Sequence, residues 1–408
     1  MNCPRPQEER YFTENYSQCW RLNEIRESLI RFMESKVIVI YADKKPLEGV
    51  PKPGPHQLYR NPRVSLEERV LGGLHAEDIR VEMIYAGVCG TDVHLAETNP
   101  DTGYVRCSAP AEIPPQGRII GHEGVGKVIA VGSNVRTVKP GAYVTFESII
   151  VCHHCDVCRK GQFNQCHQAR LLGLEQDGLF GTVVDVPSIL AHDVTELART
   201  DKDLRATACI EPAGVAYVAC ENSHIAAGDA AVIFGAGPIG LFSAMLAKIV
   251  FGASVVHVVE PIEFRRRLAE KWSDRVYDIN EFFENCPQFV DVVIESSGDM
   301  NNISRIFPHM NANGRIVLLA RSGARFVIDD VDHMITNAVR VIGSRGHLGG
   351  AFTNILRLYK NGRIPLDEIV TDVVSGPEVL CDLLKSPERI LKENCKVLVH
   401  LPGSTISA

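Results

Sequence analysis

The sequence predicts an α/β protein built from two different parts, a β-rich module and a doubly wound parallel sheet. From Lys36 to about residue 205, short apolar runs alternate with glycine and proline turns, which is typical of barrel-like β structure. From about residue 206, strand-like runs alternate with helix-like segments, which favours parallel strands covered by helices on both faces. A glycine-rich loop between the first strand and the first helix of this second part supports the same interpretation.

The composition excludes several classes of function. The chain has 408 residues, enough for two domains, and a formal charge of −7, which disfavours nucleic acids and anionic membranes as partners. No apolar run reaches the ~20 residues that span a bilayer, and the N-terminus lacks the apolar core of a secretory signal. We therefore expect a cytoplasmic protein that acts on a small molecule.

The first 35 residues read as a helical extension. Leu22, Ile25, Leu29 and Phe32 recur at three- and four-residue steps, the spacing of an amphipathic helix. We expect its apolar face to pack on the body of the protein or on a partner subunit.

The β-rich module, residues 36–205, begins with the strand-like runs KVIVIY and DIRVEMIYAGV. Residues 59–75 and 97–116 are polar and lack a clear period, so we expect them to be long irregular loops. In the second part, residues 206–344, we expect strands at DAAVIF, ASVVHVV, DVVIES, GRIVLLA and VRVIGS. A last strand is expected at CKVLVHL, near the end of the chain.

A run of four cysteines predicts a structural metal site. Cys152, Cys155, Cys158 and Cys166 have the spacing C-x2-C-x2-C-x7-C within a chain of thirteen cysteines. Thiols stay reduced in the cytoplasm, where clustered cysteines are more often metal ligands than disulfides. Four thiolates close a tetrahedral zinc site with no open position. An iron–sulfur cluster, which also uses four thiolates, is the alternative.

The loop FGAGPIG predicts a dinucleotide-binding site. Gly235, Gly237 and Gly240 follow the pattern G-x-G-x-x-G after a predicted strand and at the start of a predicted helix, the context that the motif requires. The glycines allow the tight turn, the approach of a pyrophosphate and the close packing of helix on strand. We assign Pro238 and Ile239, which lie between them, to the same cofactor site.

The choice of cofactor depends on the end of the next strand. Glu260 lies twenty residues after Gly240, where an acidic side chain binds the ribose hydroxyls and repels a 2′-phosphate, so NAD is favoured over NADP. Arg265 to Arg267 could instead attract a phosphate. We interpret these arginines as the exposed start of a helix, with Arg265 placed against the adenine.

Three further stretches carry residues that bind zinc. CGTDVH contains Cys89, Thr91, Asp92 and His94; GHEG contains His122 and Glu123; ACIEPAGVA contains Glu211. A thiolate, an imidazole and carboxylates are zinc ligands, and three protein ligands with an open position make a catalytic site.

These motifs, in this order, resemble those of the zinc-dependent medium-chain dehydrogenases, the superfamily of alcohol, polyol and threonine dehydrogenases. The resemblance covers roughly residues 36–400. It implies a GroES-like catalytic domain, completed by residues 345–408, around an inserted Rossmann domain. It also implies a homodimer or homotetramer joined through the sheet edge, for which VRVIGS is the candidate strand.

The resemblance also implies a role for each matching residue. Cys89, His122, Glu123 and Glu211 resemble the ligands of the catalytic zinc, with Glu123 binding the ion directly or through water. Thr91 and His94 resemble the relay that takes the substrate's proton, and Asp92 would orient the ring of His122. The four-cysteine run resembles the structural zinc site of the family.

The activity implied is hydride transfer from a secondary alcohol to NAD, with zinc polarising the substrate oxygen. A polyol, sugar, cyclitol or amino alcohol is the expected hydroxylated substrate, and threonine-like or simple secondary alcohols are alternatives. Two other classes stay open: a zinc-free quinone or enoyl reductase, and a protein that binds NAD and zinc without turnover.

Overall fold

A computed structural model of the protein describes residues 33–402, apart from the side chains at positions 388, 389 and 391. The helix predicted around Leu22 to Phe32 therefore lies outside the described residues. No helix of the described chain combines the length and the apolar composition needed to cross a bilayer.

The β-rich part contains twelve of the strands described below. They are β1 (Glu34–Lys44), β2 (Tyr59–Val70), β3 (Asp78–Val88), β4 (Arg118–Ile119), β5 (Glu123–Val131), β6 (Tyr143–Phe146), β7 (Ile149–Ile150), β8 (Arg170–Leu171), β9 (Val183–Pro187), β10 (Ala191–Asp193) and, near the end of the chain, β17 (Val370–Ser375) and β18 (Lys396–His400). The largest sheet has the order β10-β6-β5-β3-β18-β17, with β9 also paired to β3. Because β18 pairs with β3 in antiparallel fashion, the last strand closes the sheet that the early strands begin.

The second part is a six-stranded parallel sheet. Its strands are β11 (Ala230–Phe234), β12 (Val255–Val259), β13 (Arg275–Tyr277), β14 (Val290–Glu295), β15 (Met310–Leu318) and β16 (Arg340–Gly343), in the order β13-β12-β11-β14-β15-β16. The helices of the described chain are α1 (Gly90–Ala96), α2 (Asp156–Arg159), α3 (Asp201–Thr207), α4 (Ile210–Ser223), α5 (Pro238–Ile249), α6 (Glu263–Ala269), α7 (Ile279–Glu284), α8 (Asn301–Ile306), α9 (Val331–Thr336), α10 (Ala351–Lys360), α11 (Pro377–Lys385) and α12 (Glu388–Glu393).

The central strand of this sheet is buried on both faces. Along β11, Ala231 and Ile233 pack in one apolar cluster with residues of α4 and α5, such as Phe242. Val232 and Phe234 point the other way and pack against Phe282 of α7. Because side chains alternate along a strand, a continuous apolar run such as AAVIF requires cover on both sides. The predicted α/β class, with a β-rich part and a doubly wound parallel sheet, is confirmed.

One sequence prediction about this part of the chain is wrong. Residues 59–70 form the twelve-residue strand β2 rather than an irregular loop, and β2 pairs with β1 along its whole length apart from one bulge. The charged side chains of β2 hide the two-residue alternation that would mark a strand in the sequence. One face of β2 is nevertheless partly buried, because it lies beside the buried strand β1. Residues 97–116 do lack regular helices and strands, as predicted.

Candidate active site

Three predicted zinc ligands come together where two segments of the β-rich part meet. Cys89 directly follows β3 and is the N-cap of α1, His122 directly precedes β5, and Glu123 is the first residue of β5. Gly121 has a φ of +90°, and a Cβ there would lie 2.2 Å from the ring of Phe180, so only glycine permits the turn into His122. The donor atoms of Cys89, His122 and Glu123 all lie within 4.8 Å of one another. Sulfur, nitrogen and oxygen donors at this separation fit a zinc ion with one open position.

Asp92 connects the two segments that carry these donors. Its side chain is fully buried; Oδ2 accepts a hydrogen bond from the Cys89 amide (2.9 Å) and Oδ1 accepts one from the Gly121 amide (3.2 Å). Oδ1 also lies 3.6 Å from His122 Nδ1. This contact leaves Nε2 of His122 available to a metal. Asp92 thus occupies the position expected for a residue that orients the ring.

The electrostatics of the cluster favour a cation. Burial alone would lower the pKa of His122, but the negative charges of Asp92 and Cys89 raise it well above its usual value. Glu123 forms a buried ion pair with Lys396, whose Nζ also donates to the Val88 carbonyl at 3.0 Å. Burial opposes the charged form of Lys396, but Glu123 raises its pKa. No motif pointed to Lys396, because it lies 273 residues from its partner Glu123 in the chain.

Glu211 lies near this cluster but outside it. Its Oε1 accepts a hydrogen bond from Ser148 Oγ (2.9 Å) and lies 3.1 Å from Nδ1 of His347. Burial opposes ionisation of Glu211, but His347 lowers its pKa to about 2. The carboxylate is therefore charged and is held by protein groups rather than grouped with the three donors. Its role as a fourth ligand stays a prediction.

The residues predicted to carry the proton lie beside the donors. Thr91 Oγ1 is 3.7 Å from the sulfur of Cys89, and Thr91 and His94 line the same cleft. Burial lowers the pKa of His94, which keeps its imidazole neutral and able to accept a proton.

The four cysteines form a second donor cluster in the loop between β7 and β8. The sulfurs of Cys152, Cys155, Cys158 and Cys166 lie within 4.8 Å of one another. The Cys166 sulfur is 3.5 Å from Cys152 and 4.0 Å from Cys155, too far for a disulfide but close to the ~3.8 Å edge of a tetrahedron with zinc–sulfur bonds of about 2.3 Å. Backbone amides of Cys152, Cys155 and Gln168 donate to these sulfurs. The site therefore fits a single metal ion bound by four thiolates, with no open coordination position.

The glycine loop has the shape that its motif predicts. Gly235 has a φ of +93°, and a Cβ on Gly240 would lie 1.9 Å from the Gly235 carbonyl oxygen, so helix α5 packs too closely for any other residue. Gly237, by contrast, faces open space. Pro238 and Ile239 begin α5 and line the cleft with Gly237 and Gly240.

The two residues predicted to select the cofactor have protein partners. Glu260 is buried at the end of β12; Oε2 accepts from the Ala236 amide (2.7 Å) and Oε1 from the Ile262 amide (2.9 Å). Its carboxylate thus supports the glycine loop. Arg265 is half-buried rather than exposed, and its guanidinium donates to the Asn394 carbonyl. That contact fixes α6 to the segment before β18, which the sequence could not show.

Both sets of predicted residues line one cleft. Cys89, His122 and Glu211 line it together with Gly237 and Gly240 of the glycine loop. Its volume is about 540 Å³, enough for a small molecule beside a nicotinamide ring. A bound dinucleotide and a metal ion would therefore share a single space.

Comparison with known proteins agrees with this geometry. Residues 75–196 match the alcohol dehydrogenase GroES-like domain, and residues 238–361 match the zinc-binding dehydrogenase family. The chain is 32% identical to the L-threonine 3-dehydrogenase of Pyrococcus abyssi over 361 residues, 86% of this chain and 92% of that one. It is 30% identical to the scyllo-inosose 3-dehydrogenase of Thermotoga maritima, over 79% of this chain and 87% of that one.

Solved structures give the same result. A candidate alcohol dehydrogenase from Thermotoga maritima superposes with a TM-score of 0.80 at 26% identity, covering 90% of this chain and all of that one. With its two donor clusters, its glycine loop and these relatives, the chain belongs to the zinc-dependent medium-chain dehydrogenase superfamily and is an oxidoreductase of the alcohol and polyol dehydrogenase type.

Proposed function

We propose that the protein oxidises a secondary alcohol group of a polyol, cyclitol or amino alcohol to a ketone and passes the hydride to NAD. The observation that carries this proposal is the shared cleft, which Cys89, His122 and Glu123 line together with the glycine loop. The relatives support the substrate class, because their names give one amino alcohol and one cyclitol derivative.

The proposed reaction gives separate roles to the metal donors, the proton relay and the cleft lining. Cys89, His122 and Glu123 would hold the catalytic zinc, with the buried charge of Glu211 beside them, and the four cysteines would hold the structural one. When bound, zinc supplies a Lewis acid for the substrate oxygen and the nicotinamide supplies the hydride acceptor. Thr91 takes the hydroxyl proton of the substrate and passes it to His94, which releases it to solvent. The cleft walls position the reacting carbon and exclude water.

The end of β12 determines which cofactor we expect. Glu260 supports the glycine loop with a buried carboxylate at the end of β12, and an acidic side chain there favours NAD over NADP.

Strand β16 is the edge of the parallel sheet, and the exposed side chains of Val331 and Ile335 lie on α9, which immediately precedes it in the chain. We propose that copies of the chain associate through this edge.

A panel of alcohols tests the function. L-threonine, sorbitol, myo-inositol and 2,3-butanediol are supplied with NAD and, in parallel, with NADP, and the absorbance of reduced cofactor is followed. We expect turnover with at least one of the polar alcohols, faster with NAD, and none in Cys89→Ala. A protein that binds zinc and NAD but reduces no cofactor with any alcohol would instead be a non-catalytic binding protein.

A further inference from the structure

The acidic side chains that line the cleft already have partners. Glu123 is paired with Lys396, and Glu211 is held by His347 and Ser148. Arg106, on the rim, is paired with Glu97 at 3.3 Å. Neither of these two lining carboxylates is therefore left to balance a further positive charge in the cleft.

Two arginines in the cleft have no hydrogen-bonded or ion-paired carboxylate, although the charge of Arg345 acts at longer range on Glu175, which is outside the cleft lining. Arg321 follows β15, Arg345 follows β16, and both line the cleft. Within residues 33–402 neither guanidinium forms a hydrogen bond or an ion pair. Arg321 is an exposed residue, but nearby protein atoms partly desolvate its guanidinium and lower its pKa. The positive charge of Arg345 lowers this pKa further. Two neighbouring positive charges that repel each other favour a site for an anion.

The arginines lie at the end of the cleft where a substrate would react. The charge of Arg321 acts on the buried thiol of Cys107, which belongs to the irregular segment 97–116. Two residues further on, Gly323 lies against the ring of His56, in the loop between β1 and β2. Arg345 is two residues before His347, the partner of Glu211. The segment 97–116, the loop between β1 and β2 and the metal donors therefore lie near this end, whereas Glu260 lies toward the expected adenosine end.

We propose that Arg321 and Arg345 bind an anionic group of the substrate, either a phosphate monoester or a carboxylate. This group is on a different carbon of the substrate from the hydroxyl that is oxidised. This inference rests on the proposed dehydrogenase function and narrows its substrate class. A phosphate monoester fits best, because its charge of about −1.5 to −2 balances both guanidinium groups, whereas a carboxylate balances one. Planar guanidinium groups also bind the oxygens of either anion in pairs.

Turnover of matched substrates tests the proposal. Sorbitol is compared with sorbitol 6-phosphate and with gluconate, and myo-inositol with myo-inositol 1-phosphate, in the wild type and in Arg321→Gln and Arg345→Gln. We expect the wild type to favour the anionic member of a pair in kcat/KM. Each variant should reduce that preference by about 10- to 100-fold, the loss of a hydrogen bond to a charged group. Arg325→Gln, on the same loop but outside the cleft lining, is the matched control and should keep the preference.

The proposal is overturned if the wild type oxidises the neutral member of each pair as well as the anionic one, or if Arg325→Gln reduces the preference as much as Arg321→Gln. If no compound of either kind is oxidised, the proposed function fails, and a binding measurement then decides the question of the anion site separately.

That measurement follows the phosphorus resonance of inorganic phosphate added to the protein, first without cofactor and then with the protein saturated with NADH. We expect line broadening by the wild type and by Arg325→Gln, and its loss in the double variant R321Q/R345Q. Two outcomes contradict the proposal: broadening that disappears once NADH is bound, which would assign the anion site to the cofactor diphosphate, and broadening that persists in the double variant.

Discussion

Nδ1 of His347 lies 3.1 Å from Oε1 of Glu211, although 136 positions separate the two residues in the chain. Nε2 of the same ring accepts a hydrogen bond from the Ser148 amide, so the ring proton is on Nδ1 and faces the carboxylate. This contact explains why a buried glutamate stays charged beside the three metal donors. It makes His347 a positioning residue that the sequence did not reveal.

The contact between His347 and Glu211 predicts energetic coupling. His347→Asn and Glu211→Gln should each destabilise the protein, and the double variant should lose about 1–3 kcal/mol less than the sum of the single losses, because the two polar groups lie 3.1 Å apart in a buried site. Denaturant unfolding of the four proteins measures the coupling. Losses that simply add would show that the two side chains do not depend on each other.

The two donor clusters predict distinct results when a cysteine is removed. Cys89→Ala should lose one of two zinc ions and nearly all activity while keeping its fold. Cys155→Ser should lose the other ion and unfold at a lower temperature, because a structural zinc site contributes to folding free energy. Elemental analysis and thermal unfolding distinguish the two. Cys286→Ser, which belongs to neither cluster, should retain both ions; a variant of Cys89 that keeps two ions would contradict the assignment.

The lowered pKa of His94 predicts the pH dependence of catalysis. Burial shifts this pKa below the usual value of about 6.5, so the neutral proton acceptor should persist as the pH falls through that value. In His94→Asn, we expect kcat to fall by about 100-fold near pH 7 and to recover partly at high pH, where solvent takes the proton more easily. Profiles of kcat against pH measure this. Parallel profiles for both proteins would exclude His94 from the relay.

The glycine loop offers a matched pair of variants. In Gly240→Ala, the new methyl group would lie 1.9 Å from the Gly235 carbonyl oxygen, so the protein should be clearly destabilised. In Gly237→Ala, the methyl group meets no protein atom, and the backbone φ of −70° suits alanine, so stability should hardly change. That methyl group would, however, enter the cleft where a pyrophosphate approaches, and we expect the KM for NAD to rise at least 10-fold. Unfolding and initial rates check both. An unchanged KM in a stable Gly237→Ala would place the cofactor elsewhere.

Much of the second part of the fold was predictable, because local signals determine it. The apolar run at Ala230–Phe234, the glycines after it and the amphipathic segments between later runs indicate alternating strands and helices without knowledge of any contact. Strand β2 was not predictable in the same way. Its polar residues carry no clear period, and only its pairing with the buried strand β1 makes it a strand.

The sequence by itself determined which residues are candidates for binding metal and cofactor: the four closely spaced cysteines, the glycine loop, and Cys89, His122 and Glu123 within their motifs. Only the tertiary structure decided which partners hold those residues. Lys396 reaches Glu123 and His347 reaches Glu211 through contacts between segments far apart in the chain, and Arg321 and Arg345 come to line one cleft. The physical reason is that spacing and residue type act over a few neighbouring positions, whereas buried charge pairs form only after β18 and the loops after β15 and β16 have packed around the cleft.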